Sequence, residues 1–196
     1  MLKKYLLLLA VLALMLGNGL NLAIAAGAEF SADMTMSDAK EKVSSGKIYI
    51  KGSQKIRQEI TIDGETNITI LRLDKKVSWT LLPEKQYMEI AFPFDPNQPN
   101  QEYGYEQSVL GTETVNGYEC KVVQYTYKDK KYGVLVQWVS DKLGFPVKTQ
   151  TKDSKGKITS TIEYKNIKPA VQPDSLFEIP AGYQKLGMPS FKIPGM

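Results

Sequence analysis

The feature that most narrows the fold is an alternation of period two that restarts after nearly every turn signal between residues 47 and 167. In QKIRQEITI (54–62), Ile56, Ile60 and Ile62 share one parity, while Lys55, Arg57, Glu59 and Thr61 hold the other. Strand side chains alternate between the two faces of a sheet, so this segment reads as a strand with one buried face. Similar runs occupy 30–37, 47–52, 67–73 and 118–127. In the stretch 77–81, Val77, Trp79 and Leu81 fall on one face and Ser78 and Thr80 on the other. Pro83-Glu84 then sets a turn, because proline fixes φ and has no N–H for a ladder. The chain returns over 86–92 with Met88, Ile90 and Phe92 in phase.

The second half repeats the rhythm. Residues 109–115 lead to Asn116-Gly117, the strongest short hairpin signal. In 133–140, Val134, Val136 and Trp138 share a face; strands over 145–151 and 157–167 follow, the latter with Ile158, Ile162 and Tyr164 in phase. About ten strands at this spacing predict an antiparallel meander. SDAKEKVSS (37–45) reads as a short surface helix or a loop, and PDSLF (173–177) as one helical turn. The proline- and amide-rich PFDPNQPNQEYGYEQ (93–107) reads as a long loop, a kind that is functional or mobile more often than most.

The first residues read differently from the rest. Lys3 and Lys4 precede an unbroken apolar run from Leu6 to Leu16, and Ala23-Ile24-Ala25 and Ala26-Gly27-Ala28 both fit a cleavage site. That is the pattern of a secretory signal peptide over 1–25, with cleavage as late as 28. The run is shorter than the ~20 residues a membrane span needs. An exported, periplasmic protein that is not integral to the membrane after cleavage is therefore expected. It would have one domain over 29–186 and a flexible tail over 187–196. No cysteine lies near the cleavage site, which argues against an acyl anchor.

Formal charge is +4 over 196 residues, half of it from Lys3 and Lys4, so the remainder is nearly balanced. Nothing in that balance points to a nucleic-acid surface. Cys120 is the sole cysteine, so no intrachain disulfide can form, and its apolar surroundings predict a buried thiol that packs as a small hydrophobe. The chain has no histidine. That removes the Ser-His-Asp and Cys-His arrangements and the commonest metal ligand. Neither a phosphate-binding glycine loop nor a calcium loop is present. The acids in strands and turns, Glu59, Asp63, Asp74, Glu89 and Glu163, fall mostly at outward positions, and no pair is marked by its surroundings. No cofactor, no metal and no catalytic residue is expected. Tyr87, Tyr125, Tyr127 and Tyr164 are expected to pack sheet faces.

An ordered set of short motifs resembles an exported bacterial family of unknown function in the lipoprotein-carrier (LolA-like) superfamily. The set begins Arg72-x-Asp74, Trp79-x-Leu81-x-Pro83, Tyr87-x-Glu89. It continues Leu110-Gly111-x-Glu113-x-Val115-x-Gly117-Tyr118-x-Cys120, then Val136-x-Trp138-Val139 and Gly144-x-Pro146-Val147-Lys148. It ends Pro173-x-Ser175-Leu176-Phe177-x-Ile179-Pro180-x-Gly182-Tyr183. The resemblance implies a mainly β fold, a strongly curved antiparallel sheet forming an open half-barrel, with short helical or loop segments over its concave side. It carries over no catalytic residue. The carriers close their hollow with sizeable helices, and here only 93–107 and the terminal segment could serve.

A half-barrel with an apolar lining binds without reactive groups. Burial of a methylene contributes about 0.8 kcal/mol, so a tail of ~15 carbons gains up to ~12 kcal/mol before ordering costs. The first expectation is a non-enzymatic binder of a lipid or acylated protein, its lining drawn from Trp79, Leu81, Met88, Ile90, Phe92, Val136 and Trp138. The alternative is an envelope interaction module with a self-filled core and a sheet edge that takes a strand from a partner. In that case Trp79 and Trp138 are core residues.

Overall fold

A computed structural model of the chain describes residues 27–40, 42–62, 64–91 and 104–186. The expected leader (1–25), Asp63 of the first turn pair, Phe92, most of the 93–107 segment and the tail (187–196) lie outside them. Twelve strands form one open sheet: β1 (Glu29–Asp38), β2 (Val43–Lys51), β3 (Lys55–Ile62), β4 (Glu65–Arg72), β5 (Val77–Leu82), β6 (Gln86–Ala91), β7 (Tyr105–Val115), β8 (Tyr118–Tyr127), β9 (Val134–Ser140), β10 (Phe145–Lys152), β11 (Ile158–Pro169) and β12 (Gln184–Lys185). Their order across the sheet is β12-β6-β5-β4-β3-β2-β1-β11-β10-β9-β8-β7. Every pairing is antiparallel except the two-residue parallel contact of β12 with β6.

The sheet is thus two meanders. One runs from β1 out to β6, the other from β11 back to β7, and the pairing of β1 with β11 joins them. β6 and β7, consecutive in the chain, lie towards opposite edges. Asn116 and Gly117 both take positive φ, 51° and 81°, as a tight two-residue hairpin between β7 and β8 requires. Pro83–Lys85 is a tight turn in which Glu84 and Lys85 take positive φ, 64° and 56°, and Asp174–Phe177 is a single 3-10 turn; a turn was expected in each case.

Two expectations are corrected. Residues 37–45 are neither helix nor loop throughout: Ser37 pairs with Val43, so they are the end of β1, a turn and the start of β2. Their polar character reflects an exposed hairpin end, not a helical face. The segment 93–107 also ends earlier than expected, because β7 already begins at Tyr105.

Opposed residues of paired strands share a face. On one face Phe30, Ala32 and Met34 of β1 continue through Ile48 and Ile50 of β2 to Ile56 and Ile60 of β3, and on to Leu71 of β4. These residues belong to the largest core cluster, with Phe145, Val147, Ile162 and Tyr164 from β10 and β11. The rings of Phe30 and Phe145 lie 5.3 Å apart although β11 separates their strands. Strands two apart in a flat sheet are roughly 9.5 Å apart, so the sheet is strongly bent with this face inward. Gly46 permits close approach at the bend: a Cβ there would lie 2.0 Å from the Glu59 carbonyl oxygen. A bulge lets Val147 and Lys148 together oppose Trp138. Across it Cys120, Val122, Val136 and Trp138 join the same core.

Candidate binding surface

The residues expected to line one hollow are distributed over three places. Trp79 opposes Glu89 and Leu81 opposes Tyr87, whereas Met88 opposes Thr80 and Ile90 opposes Ser78. Met88 and Ile90 therefore sit, half-buried, on the other face of the sheet from Trp79 and Leu81. Parity within each strand was right. The turn at Pro83–Lys85 sets the phase between the two strands, and composition does not reveal it. Val136 and Trp138 are in the main core. Phe92 lies outside the described residues.

Trp79 and Leu81 belong to a separate cluster with Ile70 and Phe177, on the convex face of β2–β6. What covers them is the chain's own C-terminal strap, residues 173–185. Phe177 is 0 % exposed, and Leu176, Ile179 and Tyr183 pack beside it. The short helical segment predicted to cover the concave side thus lies on the opposite face. The concave face is filled by its own side chains: Ile48, Ile50, Leu71 and Val147 are each 0 % exposed.

A row of cations flanks the strap. Lys55 Nζ donates to Asp174 Oδ1 (2.7 Å), and Lys51 Nζ lies 3.2 Å from the other oxygen of that carboxylate. Arg72, almost fully buried, donates two N–H groups to Asp74 (2.8 and 2.6 Å) and a third to Glu178. Hydrogen bonding from Arg72 holds the Asp74 carboxyl below its ordinary range. Burial pushes the Glu178 carboxyl up, but the hydrogen bonds from Lys75 and Arg72 outweigh it and the net direction is down.

The two indoles share a local device. Trp79 Nε1 donates to Glu89 Oε2 (2.9 Å) with Lys75 Nζ 5.2 Å above the ring. Trp138 Nε1 donates to Glu113 Oε2 (2.7 Å) with Lys148 Nζ 4.5 Å above the ring. Buried Trp finds a polar partner for its N–H, and a cation over its face gains from the ring quadrupole. Glu89 is also bound by Lys185 (2.5 Å), and these hydrogen bonds, Lys185 first and Trp79 second, lower its pKa.

Of the carboxylates weighed from sequence, Glu59, Asp74, Glu89 and Glu163 are engaged structurally, and Asp63 lies outside the described residues. Glu59 pairs with Arg57 (2.7 Å), and Glu163 accepts from Asn116 (3.0 Å). Cys120 is buried, and desolvation raises its thiol pKa, which makes it a poor nucleophile. Among the described residues no three potential metal ligands cluster, and no helix is long and apolar enough to cross a membrane. A cleft of about 460 Å³ near the β7–β8 turn is lined by Thr112, Tyr118, Lys121, Asp141 and Lys142 among others. None of the expected lining residues borders it.

The surface that sequence reasoning left unplaced is the outer side of β7, which no described strand pairs with. This strand is the sheet's last, and Glu106 to Thr114 are all exposed. Val109 and Leu110 are 63 % and 58 % exposed, and Leu110 is the extra residue of a bulge against Val122 and Val123. The signal was present in the Val109-Leu110 pair beside a turn-free 11-residue strand. Only the strand order makes it an edge.

The open, mostly antiparallel sheet is shared with solved structures. An uncharacterized conserved protein from Thermus thermophilus is 14% identical, with 80% of this chain and 89% of that one aligned at a TM-score of 0.59. The structure of the Pseudomonas aeruginosa MucA/MucB complex contains a chain 17% identical, with 77% of this chain aligned at a TM-score of 0.56. This chain spans 56% of that one. A LolA superfamily protein from Nitrosomonas europaea is 14% identical over 83% of this chain and 97% of that one, at a TM-score of 0.40. At these identities the likeness to the first two is one of fold alone. A family model described as an uncharacterized protein matches residues 94–175, less than half the chain. No curated protein matches the sequence.

Proposed function

We propose that this chain is an exported, non-enzymatic binding protein of the cell envelope that holds a partner polypeptide by strand addition along β7. The observation that carries the reading is the 11-residue β7 at the sheet's edge with Val109 and Leu110 turned to solvent. Natural proteins blunt such edges, because unpaired backbone groups recruit other strands. β12 partly covers the opposite edge at β6, whereas β7 carries a bulge at Leu110 and no covering strand among the described residues. Main-chain hydrogen bonds would supply affinity, and the exposed Val109 and Leu110 side chains would supply selection. MucB, which shares the fold, is seen in complex with MucA.

An acyl chain in the concave hollow is the other reading, and the filled core weighs against it. A tail of any length would have to displace side chains such as Ile48 and Val147, both 0 % exposed. Close packing makes that displacement costly.

The two readings separate in one experiment. A photo-crosslinking residue is placed at Ser108 on β7 and, as a control, at exposed Ile158, in the full chain expressed in its native host. The expected result is a discrete adduct with one envelope protein from position 108 alone, lost in a Leu110→Lys variant. Adducts from both positions, or an adduct indifferent to Leu110→Lys, would sink strand addition. Acyl lipid retained stoichiometrically on native mass spectrometry would favour the other reading.

A further inference from the structure

The strap is held mainly by side chains and not by a backbone ladder. Among the described residues its strand pairing is limited to Gln184 and Lys185 with Gln86 and Tyr87. Upstream, cations read it. Lys51 Nζ donates to the Gln172 carbonyl (2.9 Å), Arg57 to the Leu176 carbonyl (3.0 Å) and Arg72 to the Phe177 carbonyl (3.3 Å). Asp174 bridges Lys51 and Lys55, and Glu178 bridges Arg72 and Lys75 (3.1 Å to Lys75). Between the two carboxylates, Phe177 enters the pocket formed with Ile70, Trp79 and Leu81. The groove therefore reads a chemical pattern: a carboxylate, then Leu-Phe, then a second carboxylate four residues after the first.

The same contacts make the strap replaceable. The Asp174 and Glu178 side chains are 65 % and 47 % exposed, so water screens both latches. Segments with few ladder bonds open at the low end of a protein's stability range. One aromatic anchor and a row of cations would accept any extended segment of the same chemistry.

We propose that the convex face of β2–β5 is a peptide-docking groove for a partner segment carrying two carboxylates about a Leu-Phe pair, with the strap as its resident competitor. This groove does not depend on the β7 reading and lies in the other meander.

The test uses the full-length chain and a fluorescein-labelled peptide of residues 172–180, QPDSLFEIP, followed by anisotropy. A control peptide has Asn, Ala and Gln at the positions of Asp174, Phe177 and Glu178. A Phe177→Ala chain, whose strap has lost its anchor, is expected to bind the peptide at least ~10-fold tighter than the control peptide. The wild-type chain is expected to bind it ~10- to 100-fold more weakly than the variant, because only its strap-open fraction is competent. If wild type shows no binding at ~100 times the variant's half-saturation, the strap is a permanent structural element and the proposal is wrong. Equal binding of the control peptide also overturns it. Should Phe177→Ala fail to fold, an Asp174→Asn/Glu178→Gln chain takes its place and must bind several-fold tighter than wild type. A wild-type dimer that the peptide dissolves would assign the groove to a second copy instead.

Discussion

Trp79 and Trp138 make the same three contacts, an indole N–H to a glutamate, a cation over the ring and an apolar bed, yet one is in a closed half of the molecule and the other in an open half. Around Trp79 the glutamate is tied to Lys185, and the strap seals the convex face. Around Trp138 the glutamate is Glu113, which belongs to the edge strand itself. The lesson is that a local side-chain device does not define a binding surface; what the chain places over or beside it does. The β1–β6 half supplies its own cover, whereas the β7–β11 half ends, among the described residues, in a strand paired on one side.

The largest effect should come from Phe177→Ala. Truncating a fully buried Phe costs about 3–5 kcal/mol in typical cores, but here the strap can open instead, so the loss is capped at the roughly 1–3 kcal/mol that hold it closed. In single-tryptophan backgrounds (Trp138→Phe and Trp79→Phe) the emission of Trp79 should shift red and that of Trp138 should not. A shift of both would mean that the two halves are one cooperative unit with no independent closure.

Acid should loosen the same half first. The carboxyls of Asp74, Glu89 and Glu178 have folded-state pKa values below their ordinary ones. Their contribution is complete above the unfolded pKa of roughly 4 and is lost as pH falls through the folded values. Trp79 emission is expected to change below about pH 4 while far-UV circular dichroism still reports an intact sheet. Simultaneous transitions would contradict an acid-sensitive strap.

The smallest effect belongs to the open half. Leu110→Lys replaces an exposed residue at a bulge and should change stability by no more than about 0.5 kcal/mol, as measured by urea unfolding. A loss several times larger would show that Leu110 serves the fold rather than a partner.

Much of the sheet was legible because its causes are local. Period-two patterns gave the strands, Asn116-Gly117 gave the β7–β8 hairpin, and proline before Asp174 gave the last helical turn. Cys120 was buried as its apolar neighbours implied. What sequence did not reveal depends on phase between elements. The bulge at Val147 brings Trp138 into the main core, and the Pro83–Lys85 turn sets Met88 opposite Thr80 and not beside Trp79. One residue of slip moves every side chain to the other face, so parity alone could not assemble a common lining. The terminal segment was expected over the concave side, but the strap sits on the convex face, where the cations from Lys51 to Lys75 meet it. These come from β2, β3, β4 and the turn after it, and only the register aligns them.

The joint between β1 and β11 sets an order of assembly. Phe30 faces Pro169, so the first strand to emerge must wait for one of the last before its second side is paired. Each meander can form from neighbouring residues, but their union closes a loop of most of the chain, the slow kind of contact. Until then β1 and β11 present two temporary edges, each able to recruit a strand from another chain.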